Sequence, residues 1–127
     1  MRIALCNEVL APMPFVEQCA YAAALGYDGI ELAPFTIAEA PHRLTNDAQI
    51  ALRRAAADAG VAITGLHWLL VKPPGLSITS ADESLRAMTF EVMQRLIDLC
   101  AALGGRVLVH GSPAQRRVPS GEMPPTT

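Results

Sequence analysis

The 127-residue sequence lacks an excess of basic residues. Lysine and arginine total 10 against 12 aspartate and glutamate residues, which gives a net charge of −2. Nucleic-acid binding normally draws on a basic face that releases counterions from the phosphates. The charge balance therefore disfavours a DNA- or RNA-binding protein.

The sequence also lacks the marks of a disulfide framework or a membrane span. Its three cysteines, Cys6, Cys19 and Cys100, are widely spaced in apolar segments, which favours reduced and packed thiols. Polar residues follow the first apolar run too early for a signal peptide, and no run of about 18 apolar residues occurs. With 51% hydrophobic and 17% charged residues, we expect one globular domain, cytoplasmic and without a membrane partner.

The sequence does contain a repeated alternation of short apolar runs and helical periodicity. The apolar runs predict strands over residues 2–9, 28–32, 61–70 and 106–110. Apolar residues at helical spacing predict three helices, which end in turn at Ala24-Leu25-Gly26, Asp58-Ala59-Gly60 and Ala102-Leu103-Gly104. The result is four βα units, of which the last has no helix.

Capping residues place the starts of these helices. Pro14 suits the first turn of the first helix, and Thr45-Asn46-Asp47 supply N-cap chemistry for the second. Ser80 and Glu83 predict a capping box for the third helix. Its predicted apolar stripe consists of Leu85, Met88, Val92, Leu96, Leu99 and Leu103.

This order of elements predicts an α/β fold with four parallel strands and three helices. An eight-stranded parallel barrel needs about 250 residues, so the chain would supply an incomplete, half barrel. We expect residues 1–112 to form this partial TIM-barrel domain and residues 113–127 a Pro-rich loop or disordered tail. Such a chain is a fragment, pairs with a second copy to form a homo-oligomer, or is a small open sheet. A flavodoxin-like sheet is the alternative, but neither a Gly-x-Gly-x-x-Gly motif nor a phosphate-binding loop is present.

Polar residues end each predicted strand: Asn7 and Glu8, then Glu31, then His67, then His110. Parallel strands point their carboxyl ends in one direction, so these residues should meet on one rim. Strand alternation predicts that at most one of Asn7 and Glu8 points inward. The rim is therefore the expected site of function.

Four segments together resemble the amino-terminal half of the xylose isomerase-like TIM barrels, the sugar phosphate isomerase/epimerase family. They are the strand that begins at Met1, then Leu25 to Leu32, Gly65-Leu66-His67, and Leu103 to Gly111. The resemblance implies metal-assisted proton transfer on a small keto-sugar or polyol derivative in carbohydrate metabolism. The family is also similar in fold to the endonuclease IV group, so metal-dependent cleavage of a phosphodiester at abasic DNA is the alternative enzyme activity. A non-catalytic half-barrel interaction module is the non-enzyme alternative.

The resemblance also implies site residues. In the sugar isomerases the positions of His67 and His110 line the substrate pocket, whereas in the endonuclease-like relatives histidines at these positions bind zinc. Apart from the resemblance, the Glu31 carboxylate could accept a hydrogen bond from a sugar hydroxyl or orient a neighbouring histidine, and a structural role in capping loop amides is equally open. The complete enzyme is expected to hold Mn²⁺, Mg²⁺ or Zn²⁺ through Glu, Asp and His residues of later strands. This chain alone is expected to bind metal weakly, and its catalytic residues stay unassigned.

Five further residues have a candidate role or none. Trp68 and Lys72 could form an apolar wall and a cationic contact for an anionic sugar. Arg116 and Arg117 could reach a phosphate, although the sequence favours their interpretation as solvated loop charges. His42 is interpreted as an exposed loop histidine without a role.

Overall fold

The computed structural model describes residues 1–121 as one parallel four-stranded sheet covered by three helices. The strands are β1 (Ala4–Cys6), β2 (Gly29–Leu32), β3 (Ala62–His67) and β4 (Val107–Val109). The helices are α1 (Phe15–Ala24), α2 (Asn46–Ala59) and α3 (Glu83–Ala102). The strands lie in sequence order, and each neighbouring pair is parallel. This architecture matches part of a TIM barrel and confirms the predicted fold class.

Each helix ends where the sequence predicts. Gly26, Gly60 and Gly104 follow the three helices with φ of 87°, 81° and 85°, a left-handed conformation that other residues rarely adopt. At the start of α2, the Thr45 hydroxyl accepts a hydrogen bond from the backbone amide of Ala48 at 3.2 Å. Neighbouring residues in the sequence therefore determine where all three helices end and where α2 begins.

The predicted start of α3 is wrong. Asp82 is the N-cap, because its carboxylate accepts hydrogen bonds from the amides of Ser84 and Leu85 at 2.9 and 3.3 Å. Ser80 instead accepts a hydrogen bond from the amide of Asp82 at 3.1 Å. An acceptor directly before the helix replaces the expected capping box of Ser80 and Glu83.

The apolar core lies between the helices and one face of the sheet. Ile30 and Leu32 of β2 point to that face, as do their β3 partners Ile63 and Leu66, which a register slip between the two pairs brings to the same side. Each of the four is no more than 5% exposed. Residues from all three helices cover them: Cys19, Ala56, Val92, Leu96, Leu99 and Cys100. Met88, predicted to belong to this apolar stripe, is 50% exposed, and Thr89 is buried in its place.

The other face of the sheet is open among the described residues. Val107 and Val109 are 52% and 45% exposed there. Within residues 1–121, β1 and β4 are the edge strands. A complete parallel barrel would enclose this inner face, so its residues lie where a barrel has its interior.

The segment after β4 is a loop with one 3-10 turn, Pro113–Arg116. It packs against the loop after β3, because Ile78 donates its amide to the Gln115 carbonyl at 2.9 Å and the Thr79 hydroxyl donates to the Arg117 carbonyl. Ser112, which is fully buried, accepts a hydrogen bond from the amide of Leu70 at 3.0 Å. The remainder of the predicted tail, residues 122–127, lies outside the described residues.

His42 differs from its prediction as an exposed residue. It lies in a 3-10 turn, Pro41–Arg43, that contacts α3, and its Nδ1 is buried. Burial lowers the pKa of His42, and the nearby charges of Arg43 and Arg95 lower it further. The loop is therefore a packed connection between β2 and α2.

In residues 1–121 we find no helix with the length and apolar character that a membrane crossing requires.

Candidate functional site

The imidazole of His67 lies between two carboxylates at the carboxyl ends of the strands. Its Nε2 contacts the Glu8 carboxylate, and its Nδ1 lies 3.1 Å from Oε1 of Glu31. His67 is 7% exposed, whereas the two glutamate side chains are 26% and 21% exposed. The arrangement holds one buried ring beside two partly solvated acids.

Glu8 reaches this position because the chain turns directly after β1. Residues Asn7–Leu10 form a 3-10 turn rather than the predicted continuation of the strand. The expectation that Asn7 and Glu8 alternate across a strand is therefore wrong. Asn7 points into the protein and anchors the turn, while Glu8 faces His67.

Asn7 is fully buried and links three segments of the chain. Its Nδ2 donates to the Gln18 side-chain carbonyl at 3.1 Å and to the Thr36 hydroxyl at 2.8 Å. Its Oδ1 accepts the amide hydrogen of Ala33 at 2.7 Å. These bonds join the turn after β1 to α1 and to the loop after β2, so the position of Glu8 depends on them.

Glu31 and Cys6 meet because the register of β1 and β2 pairs them directly. The Cys6 thiol lies 3.9 Å from Oε1 of Glu31 and is partly exposed, so the prediction of a packed thiol is wrong for this cysteine. Burial raises the pKa of the Cys6 thiol, and the negative charges of Glu31 and Glu8 raise it further. Cys6 is thus a protonated thiol on the rim at neutral pH.

A shift in register brings His67 to the same place. The pairing of β2 and β3 slips between Ile30 and Glu31, so that Glu31 lies opposite Gly65. Gly65 in turn pairs with Val107, and an added Cβ would overlap the Val107 carbonyl oxygen. A glycine is therefore required where β3 approaches β4, two residues before His67.

Trp68 extends the rim beside His67. Its backbone has φ of 52°, which is uncommon for a residue with a side chain and ends β3 before the predicted Leu70. The indole is 41% exposed and packs edge to face on Phe35, with 5.5 Å between the ring centroids. A half-exposed aromatic surface thus lies next to the polar cluster.

The other predicted site residues lie near this rim but outside the cluster. His110 directly follows β4, and neither of its buried ring nitrogens has a hydrogen-bond partner in the described part of the chain. It does not join the donor group of Cys6, Glu31 and His67, and its predicted pairing with His67 as a metal ligand stays a prediction. Lys72 forms an ion pair of 2.5 Å with Glu39, which connects the loops after β3 and β2.

Two residues of the cluster were missed or left open at the sequence level. Cys6 was interpreted as a packed thiol, and the orientation of Glu8 could not be assigned. Cys6 is the last residue of β1 and lies two residues after Ala4, so strand alternation places both on the inner face. That alternation is the one signal that could have marked Cys6.

A cavity of about 340 Å³ lies at the opposite, amino-terminal end of the strands and contains none of these residues.

Comparison with known proteins gives a family and a fold. The model of the xylose isomerase-like TIM barrel family matches residues 19–123. No match was found among curated proteins.

Two solved structures of sugar epimerases are similar to this chain. A D-psicose 3-epimerase crystallised in the presence of D-fructose has 20% identity and a TM-score of 0.66, over 85% of this chain and 36% of that one. A 3-keto-D-glucoside 4-epimerase from E. coli, in its apo form, has 19% identity and a TM-score of 0.68, over 99% of this chain and 44% of that one. The chain thus spans less than half the length of either epimerase.

Proposed function

The chain belongs to the xylose isomerase-like TIM barrel family, and we propose that its rim binds a small keto-sugar or polyol derivative for isomerisation or epimerisation. The observation that carries the proposal is the contact of His67 with both Glu8 and Glu31 at the carboxyl ends of the strands. In TIM-barrel enzymes this end of the strands holds the active site. The two similar solved structures are sugar epimerases, which supports this choice of ligand.

The chemistry of the cluster suits a polyhydroxylated ligand. A sugar hydroxyl is both a donor and an acceptor, and a carboxylate accepts strongly from hydroxyl groups. Glu8 and Glu31 each keep part of the carboxylate accessible while His67 fixes their positions. The two acids can therefore accept hydrogen bonds from neighbouring hydroxyls without reorganisation, which strengthens binding because little side-chain entropy is lost.

Trp68 supplies the apolar part of the site. A sugar ring or chain presents C–H groups as well as hydroxyls, and an aromatic face covers the C–H surface. The edge-to-face contact with Phe35 holds the indole in place, and the positive φ of Trp68 keeps it on the rim. Backbone strain of this kind, of order 1–3 kcal/mol, is most often retained at ligand sites.

The family resemblance implies a divalent metal held by residues of later strands, and, apart from that ligand set, three donors of this chain are close enough to hold a cation. Atoms of Cys6, Glu31 and His67 lie within 4.8 Å of one another. A cation held there would polarise a carbonyl or hydroxyl oxygen of the sugar. Glu8, on the far side of the imidazole, would hold the Nε2 proton of His67 and fix the ring orientation. In this proposal His67, Glu8 and Glu31 bind and orient, and the main proton transfers are not assigned to them.

Binding can be measured with the intrinsic fluorescence of Trp68, the only tryptophan in the chain. We expect a saturable change on titration with D-fructose and no change with an apolar alcohol of similar size. Glu8→Gln should weaken binding about tenfold, because one charge-assisted hydrogen bond becomes a neutral one. Glu91→Gln is the matched control, since Glu91 lies on α3 and pairs with Arg95 away from the rim.

Two results would count against the proposal. The first is a fluorescence that does not respond to D-fructose at any concentration while the chain is folded. The second is an equal loss of affinity in Glu8→Gln and Glu91→Gln, which would show that net charge rather than the rim carboxylate determines binding.

A further inference from the structure

Three chemically different donors meet on the inner face of the sheet, one from each of β1, β2 and β3. The Cys6 sulfur lies 3.9 Å from Oε1 of Glu31, and Nδ1 of His67 lies 3.1 Å from the same oxygen. All three donor atoms fall within 4.8 Å of one another. Strand pairing fixes this juxtaposition. The register of β1 and β2 places Cys6 beside Glu31, and the slip after Ile30 places Glu31 beside Gly65, two residues before His67.

These separations are close to those of a tetrahedral metal site. Bonds of about 2.0–2.3 Å to nitrogen, oxygen and sulfur place neighbouring ligand atoms roughly 3.3–3.7 Å apart. The two separations of 3.1 and 3.9 Å lie on either side of that range, and the third is at most 4.8 Å.

The ring of His67 gives an independent indication of a ligand. Its Nδ1 is buried and has no hydrogen-bond partner among the described residues, although Oε1 of Glu31 is 3.1 Å away. The two atoms are within ion-pair distance, but no hydrogen bond joins them. The His67 side chain is only 9% exposed, so water has little access to Nδ1 and cannot easily supply the missing hydrogen bond. A cation between Nδ1, Glu31 and Cys6 would satisfy this nitrogen.

The outer contacts of the cluster match those of known metal sites. A histidine that binds a metal through one nitrogen usually donates its other N–H to a carboxylate, which fixes the tautomer and the ring. Here Nε2 of His67 contacts the Glu8 carboxylate. Nδ1, facing Glu31 and Cys6, is then left as the metal-binding nitrogen.

We propose that Cys6, Glu31 and His67 bind one Zn²⁺ ion through sulfur, oxygen and nitrogen, with Glu8 as the positioning residue behind His67. Zn²⁺ binding would displace the Cys6 proton to solvent, and the resulting thiolate, together with an imidazole and a carboxylate, favours Zn²⁺ over Mg²⁺ or Mn²⁺, which prefer oxygen ligands. Three protein ligands leave a fourth position for water or a substrate oxygen. This site differs from the later-strand ligand set that the family resemblance implies, and it does not depend on sugar binding.

The test uses Co²⁺ as a spectroscopic substitute for Zn²⁺ in the folded 127-residue chain. A cobalt–thiolate bond gives an intense near-ultraviolet charge-transfer band, whereas cobalt on surface histidines or carboxylates does not. We expect this band at one equivalent of Co²⁺ and its loss when Zn²⁺ is added. Cys6→Ser should abolish the band. Cys19→Ala should retain it, because Cys19 lies on the buried face of α1, in the core.

A second measurement covers the case in which a variant folds poorly. Cys6 is partly exposed, and Cys19 and Cys100 are buried, so a thiol reagent should modify Cys6 first in the folded wild-type chain. Zn²⁺ should slow this modification, as measured by mass spectrometry of the Cys6 peptide. Glu8→Gln should weaken Zn²⁺ binding about 10- to 100-fold, the usual effect of removing a carboxylate behind a metal-bound histidine.

The proposal is overturned if Co²⁺ produces no thiolate band in the wild-type chain, or if Zn²⁺ leaves the modification rate of Cys6 unchanged. A band that persists in Cys6→Ser and disappears in Cys19→Ala would place the metal elsewhere. Failure of D-fructose binding would leave all of these readouts unaffected, so the metal site and the sugar site are tested separately.

Discussion

Replacement of Asn7 by alanine tests whether the buried amide holds the rim together. The change removes three hydrogen bonds, to Gln18, Thr36 and the backbone amide of Ala33. Thr36 keeps a partner, because its hydroxyl also donates to the Ala33 carbonyl at 2.7 Å. The amide of Ala33 and the side-chain carbonyl of Gln18 lose theirs in a buried environment.

The expected cost follows from these lost partners. An unsatisfied buried polar group costs about 1–3 kcal/mol, and a hydrogen bond contributes about 0.5–1.5 kcal/mol net. With one unsatisfied amide and a weakened Gln18, we expect Asn7→Ala to lower the free energy of unfolding by about 3 kcal/mol. A domain of this size is stable by only about 5–15 kcal/mol, so the loss is large.

Urea unfolding, followed by Trp68 fluorescence and far-ultraviolet circular dichroism, measures this change. Asn46→Ala is the matched control, because Asn46 is exposed at the first residue of α2 and should change stability by less than about 0.5 kcal/mol. A loss in Asn7→Ala no larger than in Asn46→Ala would refute the reasoning. We also expect the fluorescence response to D-fructose to weaken in Asn7→Ala, since the turn that carries Glu8 loses its anchor.

Three further predictions concern the fold around the site. Gly65→Ala should destabilise the chain by about 3 kcal/mol and speed amide exchange in β4, because its Cβ would overlap the Val107 carbonyl; unchanged exchange would contradict this. Thr45→Ala should lower the free energy of unfolding in urea by about 1 kcal/mol, because the Ala48 amide loses its cap; an unchanged free energy would show that the cap does not contribute. Burial raises the pKa of the Cys19 thiol to about 11, so stability is complete below about pH 9 and falls as the pH rises toward about 11, because the unfolded chain ionises first. Cys19→Ala should reduce this alkaline loss, and an identical pH dependence of urea unfolding in both proteins would argue against it.

Local signals in the sequence predicted most of the fold. The three glycines that follow the helices and the Thr45 cap depend only on neighbouring residues, and all are confirmed. The start of α3 was wrong because Ser80 and Asp82 are both good caps, and only the loop geometry chooses between them. Likewise, β3 ends at His67 because of the backbone at Trp68, which apolar periodicity does not encode.

The candidate site was predicted in part, because it depends on long-range geometry. The carboxyl ends of parallel strands place Glu31 and His67 on one rim, and both residues were expected there. Glu8 was also expected at the rim, but the choice between Asn7 and Glu8 as the inward residue was left open, because the 3-10 turn after β1 decides it. Cys6 was not assigned, because its place depends on strand register. The register and the turn leave no distinct pattern in the sequence, and strand alternation is the one signal that could have marked Cys6.

The most direct test of sugar binding on this rim is an NMR titration of the three histidine rings with D-fructose. His42, His67 and His110 give separate ring signals, and only His67 contacts both rim carboxylates. We predict that D-fructose shifts the ring nitrogen signals of His67 in a saturable manner and leaves those of His42, on the α3 side of the chain, unchanged. Saturation of the shift at His42 with no change at His67 would contradict the proposed site.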